Sequence, residues 1–342
     1  MNDAGGPAHA AIRRGGPLLD RFGRQHTYLR VSVTDRCNFR CVYCMPAEGL
    51  SWMPKAELLT YEEIGRLAGV FAALGVQKLR LTGGEPTVRA DIEALVRAIA
   101  AHRGLRDLAM TTNGHNLERL APRLAAAGLT RVNVSIDSLD PARFARLTRG
   151  GELARVLRGI EAARAAGLLP IKLNAVIIGG ENDDEVLDLV EYARERAPEV
   201  ELRFIEYMPF DARWHQSVPS ATLRQRISAR YPLRPLPREG AAPGPARSYL
   251  VEGTALRVGF ISALSEHFCA TCNRLRLQSD GHLRTCLAHD DTPSLRDLLR
   301  AGADDLSLAE AVRAMVMQKP EGHEAQLQGG VPFEGVMTRI GG

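Results

Sequence analysis

Three cysteines, Cys37, Cys41 and Cys44, stand in a CxxxCxxC loop directly behind a strand-like run. Three thiolates at that spacing can hold three irons of a [4Fe–4S] cluster and leave the last iron open to a ligand that is not protein. The competing chemistry is a structural zinc completed by a distant histidine such as His26; the spacing, and Tyr43 before the third cysteine, favour the cluster. A second triad, Cys269-x2-Cys272-x13-Cys286, offers three more thiolates. Its spacing alone leaves open a Cys3His zinc ribbon, with His267, His282 or His289 as the remaining ligand, or another cluster. Arg274 and Arg276 follow Cys272 on one strand face and point at an anion, which a structural zinc does not need. The chain has six cysteines, all in these two groups. Odd groups with short spacings speak for metal or cluster ligation in a reducing cytoplasm rather than for disulfides.

The elements that must position these residues alternate from Thr27 to Met208. Strand candidates are Tyr28–Val33, Lys78–Thr82, Leu108–Thr111, Val132–Ile136, Ile171–Ile177 and Leu202–Tyr207. Amphipathic runs lie between them, three closed by Gly75, Gly128 and Gly167 where a helix C-cap would sit. Strands separated by single helices form parallel βαβ units. The strands alternate apolar and polar, as in Leu29, Val31 and Val33 against Arg30, Ser32 and Thr34. A strand covered on both faces of an open sheet would be apolar throughout. With helices on the apolar side, the polar side faces a lumen, and a polar, cationic lumen suits a charged ligand. The fold expected is α/β, an incomplete (β/α)6 TIM-like barrel with a smaller C-terminal domain carrying a second cluster. Its expected division is a disordered tail over 1–19, a barrel core over 20–214, a cluster and substrate domain over 215–330, and a flexible tail over 331–342 ending in Gly341-Gly342. The Pro-, Gly- and Arg-rich stretch 232–246 has no assigned role.

Composition bounds the rest. The chain has 342 residues, 45% hydrophobic and 25% charged, with a net charge of +4 that forms no dense basic block. A nucleic-acid arm is therefore not expected. No apolar run approaches the roughly 20 residues of a membrane span, and no signal-like h-region follows Arg13-Arg14. Of 44 cationic residues only Lys55, Lys78, Lys172 and Lys319 are lysines.

Gly83-Gly84-Glu85-Pro86, one βα unit after the cysteine loop, makes the pattern similar to the radical S-adenosylmethionine superfamily. Within it, six stretches together resemble the GTP 3′,8-cyclase family of molybdenum cofactor biosynthesis. These are Leu29 to Cys37, Arg80 to Pro86, Met110 to Gly114, Asn133 to Leu139, Arg203 to Met208 and Phe268 to Leu287. The resemblance covers about residues 20–290 and resumes at Gly341-Gly342. It implies a [4Fe–4S] cluster on Cys37, Cys41 and Cys44, with Tyr43, Gly84, Ser135 and Met208 around S-adenosylmethionine. It implies a second [4Fe–4S] cluster on Cys269, Cys272 and Cys286 that binds the guanine of GTP. Arg30, Arg80, Thr111, Lys172, Arg274 and Arg276 would contact GTP, with Lys78 and Arg203 assisting. In the implied reaction a 5′-deoxyadenosyl radical takes the hydrogen from C3′ of GTP, and C3′ then bonds to C8. One electron and one proton complete the 3′,8-cyclo-7,8-dihydro product. The implied partners are a reductant such as flavodoxin or ferredoxin and a downstream cyclic pyranopterin synthase; monomer and homodimer both stay open. The rivals are a radical enzyme acting on a peptide and a zinc protein binding nucleic acid through its arginines.

Overall fold

The computed structural model describes residues 7–208, 210, 215–237, 244–288, 293–323 and 337–340. Strands β1 (Tyr28–Ser32), β2 (Lys78–Thr82), β3 (Asp107–Thr112), β4 (Arg131–Ser135), β5 (Ile171–Ile177) and β6 (Val200–Glu206) pair in sequence order, all parallel. Helices α1 (Pro7–Arg14), α2 (Tyr61–Ala73), α3 (Ile92–Ala100), α4 (Leu117–Ala126), α5 (Pro141–Thr148), α6 (Leu153–Ala165) and α7 (Val186–Arg194) precede or join them. Local signals explain the helix ends. Thr60 and Glu63 form a reciprocal capping box at the start of α2, and Gly75 leaves it at φ +97°. Helix α5 was not expected, although Asp140 caps it by accepting from Arg143 N at 2.6 Å and Pro141 opens its first turn.

The remaining strands are β7 (Leu233–Pro235), β8 (Arg247–Val251), β9 (Arg257–Ile261), β10 (Arg274–Leu277) and β11 (Leu283–Arg284), with helices α8 (Ser220–Ser228), α9 (Leu295–Arg300) and α10 (Asp305–Met317). The chain beyond residue 215, expected as a smaller domain, extends the same sheet at both ends. Strand β9 pairs parallel with β6, and β10 pairs parallel with β1. The result is one open 11-stranded sheet in the order β11-β10-β1-β2-β3-β4-β5-β6-β9-β8-β7. Its helix-facing side chains, among them Leu29, Leu79, Val132, Val134, Leu173 and Phe204, are fully buried. Each contributes roughly 1.5–3 kcal/mol by leaving water.

Of the expected disordered tail over 1–19, residues 7–19 are corrected and the rest lie outside the described residues. Helix α1 packs on α2 and α10 and buries Ile12, with Leu18 buried behind it. Arg313 donates to the carbonyls of Ile12, Gly16 and Pro17, which closes the carboxyl end of the helix. No helix among the described residues is long and apolar enough to cross a membrane.

Candidate active site

Parallel register sets the polar faces in rows. Arg276, Arg30 and Arg80 are direct neighbours across β10, β1 and β2, and Arg274, Tyr28 and Lys78 form the row beside them. Thr111, Asn133, Lys172 and Glu201 form a further row across β3 to β6. These faces surround a cavity of about 1560 Å³, counted with its open mouth. All three cysteines of the first triad line it, as do Tyr43, Gly84, Ser135 and Met208 and the expected contacts Arg30, Arg80, Thr111, Arg274 and Arg276. Lys172 is not on its wall; its ammonium pairs with Glu201 at 2.7 Å. Lys78 likewise pairs with Asp107 at 3.2 Å, whereas Arg203 does line the cavity.

The first triad is held by its own loop. Phe39 N donates to the sulfur of Cys37 at 3.4 Å, and Cys44 N donates to the Cys41 carbonyl at 2.9 Å. Tyr43 donates to Asp137 at 2.6 Å, and Asp137 also accepts from Val176 N. Burial pushes the thiols of Cys37 and Cys44 up to about 12; Glu85 adds to the first, and Cys37 and Asp137 add to the second. Burial also lifts Asp137 to about 6.

Gly83 and Gly84 have a steric reason. A Cβ on Gly84 would lie 2.2 Å from the Arg36 carbonyl oxygen, and one on Gly83 would lie 2.4 Å from that of Thr34. The β2 loop thus lies flat on the cysteine loop, with Gly84 N donating to Thr34 O and Glu85 N to Arg36 O, each at 2.8 Å. Glu85 is buried and accepts from Thr87, Thr112 and Asn113 N. It ties the loops after β2 and β3 together.

The second triad lines an adjoining cavity of about 600 Å³, which shares Met208, Arg274, Arg276 and Leu287 with the first. Two residues here escaped the sequence reading. Lys319 is buried, with Nζ 3.7 Å from the sulfur of Cys272 and donating to the carbonyls of Arg274 and Thr285. The Nδ1 atom of His323 lies 3.2 Å from the sulfur of Cys269. The available signal was the scarcity of lysine, since Lys78, Lys172 and Lys319 all stand at or behind these cavities. Burial alone would push the Cys272 thiol up, but Lys319 and then Arg274 overrule it and bring it down to about 6.

The histidines proposed for zinc go elsewhere. His26 is buried against Asp20 at 3.1 Å, His267 packs edge-on against His323, and His282 pairs with Asp280. His289, like Gly341-Gly342, lies outside the described residues.

Each cysteine triad lines a cavity, and among the described residues no three ligands close around a single metal ion. All six cysteines are half-buried and in no disulfide. Arg80 Nε, Thr111 Oγ1, Asn133 Nδ2 and Asn174 Oδ1 are buried without a protein hydrogen bond, at a cost of about 1–3 kcal/mol each. A polar ligand in the lumen would satisfy them. Its charge preference is plain from Tyr28, whose hydroxyl burial would push up but which Arg80, Arg30 and Lys78 bring down to about 8.

A family model described as the radical SAM superfamily matches residues 31–193, and one described as Molybdenum Cofactor Synthesis C matches residues 200–325. A GTP 3′,8-cyclase of Rhodopseudomonas palustris (strain TIE-1) is 49% identical over 315 residues, 90% of each chain. The mitochondrial GTP 3′,8-cyclase of Arabidopsis thaliana is 45% identical over 332 residues, 95% of this chain and 83% of its own. The crystal structure of Streptococcus suis SuiB bound to S-adenosylmethionine shares the fold, with a TM-score of 0.60 at 16% identity over 92% of this chain and 77% of that one. Membership of the superfamily brings a [4Fe–4S] cluster and S-adenosylmethionine with it. With relatives this similar over nearly its whole length, the chain belongs to the GTP 3′,8-cyclase family of radical S-adenosylmethionine proteins.

Proposed function

We propose that this chain converts GTP to (8S)-3′,8-cyclo-7,8-dihydroguanosine 5′-triphosphate, the first step of molybdenum cofactor biosynthesis. The observation that carries the reading is the pair of cysteine triads opening on adjoining cavities across an arginine wall. Cys37, Cys41 and Cys44 hold the cluster that binds S-adenosylmethionine; Tyr43, Gly84, Ser135 and Met208 surround that ligand. When bound, the pair supplies the 5′-deoxyadenosyl radical that removes hydrogen from C3′. Cys269, Cys272 and Cys286 hold a second [4Fe–4S] cluster on the guanine side. Arg30, Arg80, Thr111, Arg274 and Arg276 bind GTP, with Arg203 beside them and Lys172 at the register position next to Asn133. Guanidinium forks suit a triphosphate, and fixing C3′ near the radical is the larger part of catalysis. The buried, polar lumen keeps bulk water from the reacting carbon. A low-potential donor of the flavodoxin or ferredoxin class supplies electrons, and the product passes to a cyclic pyranopterin synthase.

Anaerobic turnover of GTP deuterated at C3′ tests this. Deuterium should appear in 5′-deoxyadenosine, together with a cyclised nucleotide. Cleavage of S-adenosylmethionine without deuterium transfer would sink the assignment of GTP.

A further inference from the structure

Behind the second triad runs a short strap, Lys319-Pro320-Glu321-Gly322-His323, directly after α10. It brings a nitrogen to each of two cysteine sulfurs, Lys319 Nζ at 3.7 Å from Cys272 and His323 Nδ1 at 3.2 Å from Cys269. The strap is fixed from the far end of the sequence. Arg24 donates to the carbonyls of Glu321 and Pro320 at 2.6 Å each and to that of Cys269 at 3.0 Å. Asp20, itself buried, holds Arg24 at 2.6 Å and accepts from its backbone nitrogen. The other ring nitrogen of His323 donates to the Ala263 carbonyl at 3.1 Å, which sets the ring plane. Arg24 and the strap thus converge on the wall of the second cavity. Such an investment has a purpose beyond packing, because Lys319 is fully enclosed and its ammonium faces sulfur and two carbonyls.

We propose that Lys319 is a positioning residue that sets the electron affinity of the second cluster by directing positive charge and an N–H donor at its cysteine sulfurs, with His323 packed beside them. This rests on the second-cluster reading given above. Hydrogen bonds to the sulfurs and the net charge nearby are two of the levers that fix an iron–sulfur potential. A buried ammonium beside a thiolate stabilises the form carrying one more electron, so it raises the reduction potential. The first triad's sulfurs also take N–H bonds, from Phe39 and Asn113, but the ionisable neighbours named for it, Glu85, Asp137 and Tyr43, bring no positive charge. The strap therefore holds the two clusters apart in potential and makes the guanine-side one the easier to reduce.

Redox titration of the holoenzyme followed by electron paramagnetic resonance tests this, the second cluster being the signal that Cys286→Ala removes. Lys319→Met should move that midpoint to a more negative potential and leave the first cluster where it was. Lys319→Gln, which keeps a donor without the charge, should move it the same way by less. An unmoved second midpoint in a Lys319→Met enzyme of full iron content overturns the proposal, as does equal movement of both clusters. Should Lys319→Met not accumulate as folded protein, Lys319→Gln decides: a wild-type midpoint in it overturns the proposal. A wild-type chain holding only one cluster would instead overturn the second-cluster reading itself.

Discussion

Cys37, Cys41 and Cys44 share their end of the cavity with Glu85, Asp137, Asn113 and Ser135, whereas Cys269, Cys272 and Cys286 share theirs with Arg274, Arg276, Lys319 and His323. Burial is common to both ends, so the sign of the neighbours decides how each behaves. At the first end the thiols of Cys37 and Cys44 rise to about 12 and that of Cys41 well above its ordinary value, and only a bound metal would make thiolates of them. At the second, Lys319 and Arg274 hold Cys272 down at about 6 against the effect of burial. On the proposed assignment the difference suits two ligands: a cofactor that arrives with its own positive sulfonium, and a substrate that arrives with a triphosphate.

The largest effects should separate the two ends. Cys41→Ala should abolish both 5′-deoxyadenosine formation and cyclisation. Cys286→Ala should lose cyclisation yet still release 5′-deoxyadenosine in an uncoupled reaction. Product analysis by mass spectrometry checks both, and a Cys286→Ala enzyme that cyclises GTP at the wild-type rate would erase the distinction. Deleting Gly341-Gly342, which lie outside the described residues, should abolish cyclisation with iron content and S-adenosylmethionine binding unchanged.

Charge should sharpen the comparison at intermediate size. Arg274→Ala or Arg276→Ala removes a charge-assisted contact of roughly 1.5–3 kcal/mol, so GTP affinity should fall about 10- to 150-fold. S-adenosylmethionine affinity should hardly change. Calorimetric titration of both ligands reads the two ends separately, and equal losses would point to a damaged fold.

How much of this was legible in the sequence depends on how local each signal is. The cysteine loop, the Gly83-Gly84 turn and the alternation of Leu29, Arg30 and Val31 all act within one βα unit, and the structure keeps them where they were expected. Strand β5 matches its expected bounds because Gly167 before it and the turn after it punctuate the chain. What failed was long-range. No periodicity tells that Arg274–Leu277 returns to pair with Tyr28–Val31, or that Lys319 lies over Cys272. Helix α1 was hidden by its Gly- and Pro-rich surroundings, and its order comes from α10, nearly 300 residues away. His26, the distant ligand of the competing zinc reading, is taken up by the same long-range contacts, its partner Asp20 holding Arg24 in the support of the second triad.

The smallest effect concerns Lys172, which burial and then Arg203 bring down to about 7 despite Glu201. Below that pH the ammonium is already present for the triphosphate; above it, binding must take up a proton. GTP affinity should therefore weaken with rising pH above about 7, by up to tenfold per unit. Lys172→Arg, whose charge does not titrate there, should flatten the profile, and parallel profiles for the two proteins would remove Lys172 from the GTP side.

The central claim is that both triads hold clusters, and an anaerobic count of iron, acid-labile sulfide and zinc per chain tests it most directly. Two [4Fe–4S] clusters require about eight irons and about eight sulfides with negligible zinc, falling to about four of each in Cys286→Ala. About four irons with one zinc in the wild-type chain would contradict the account.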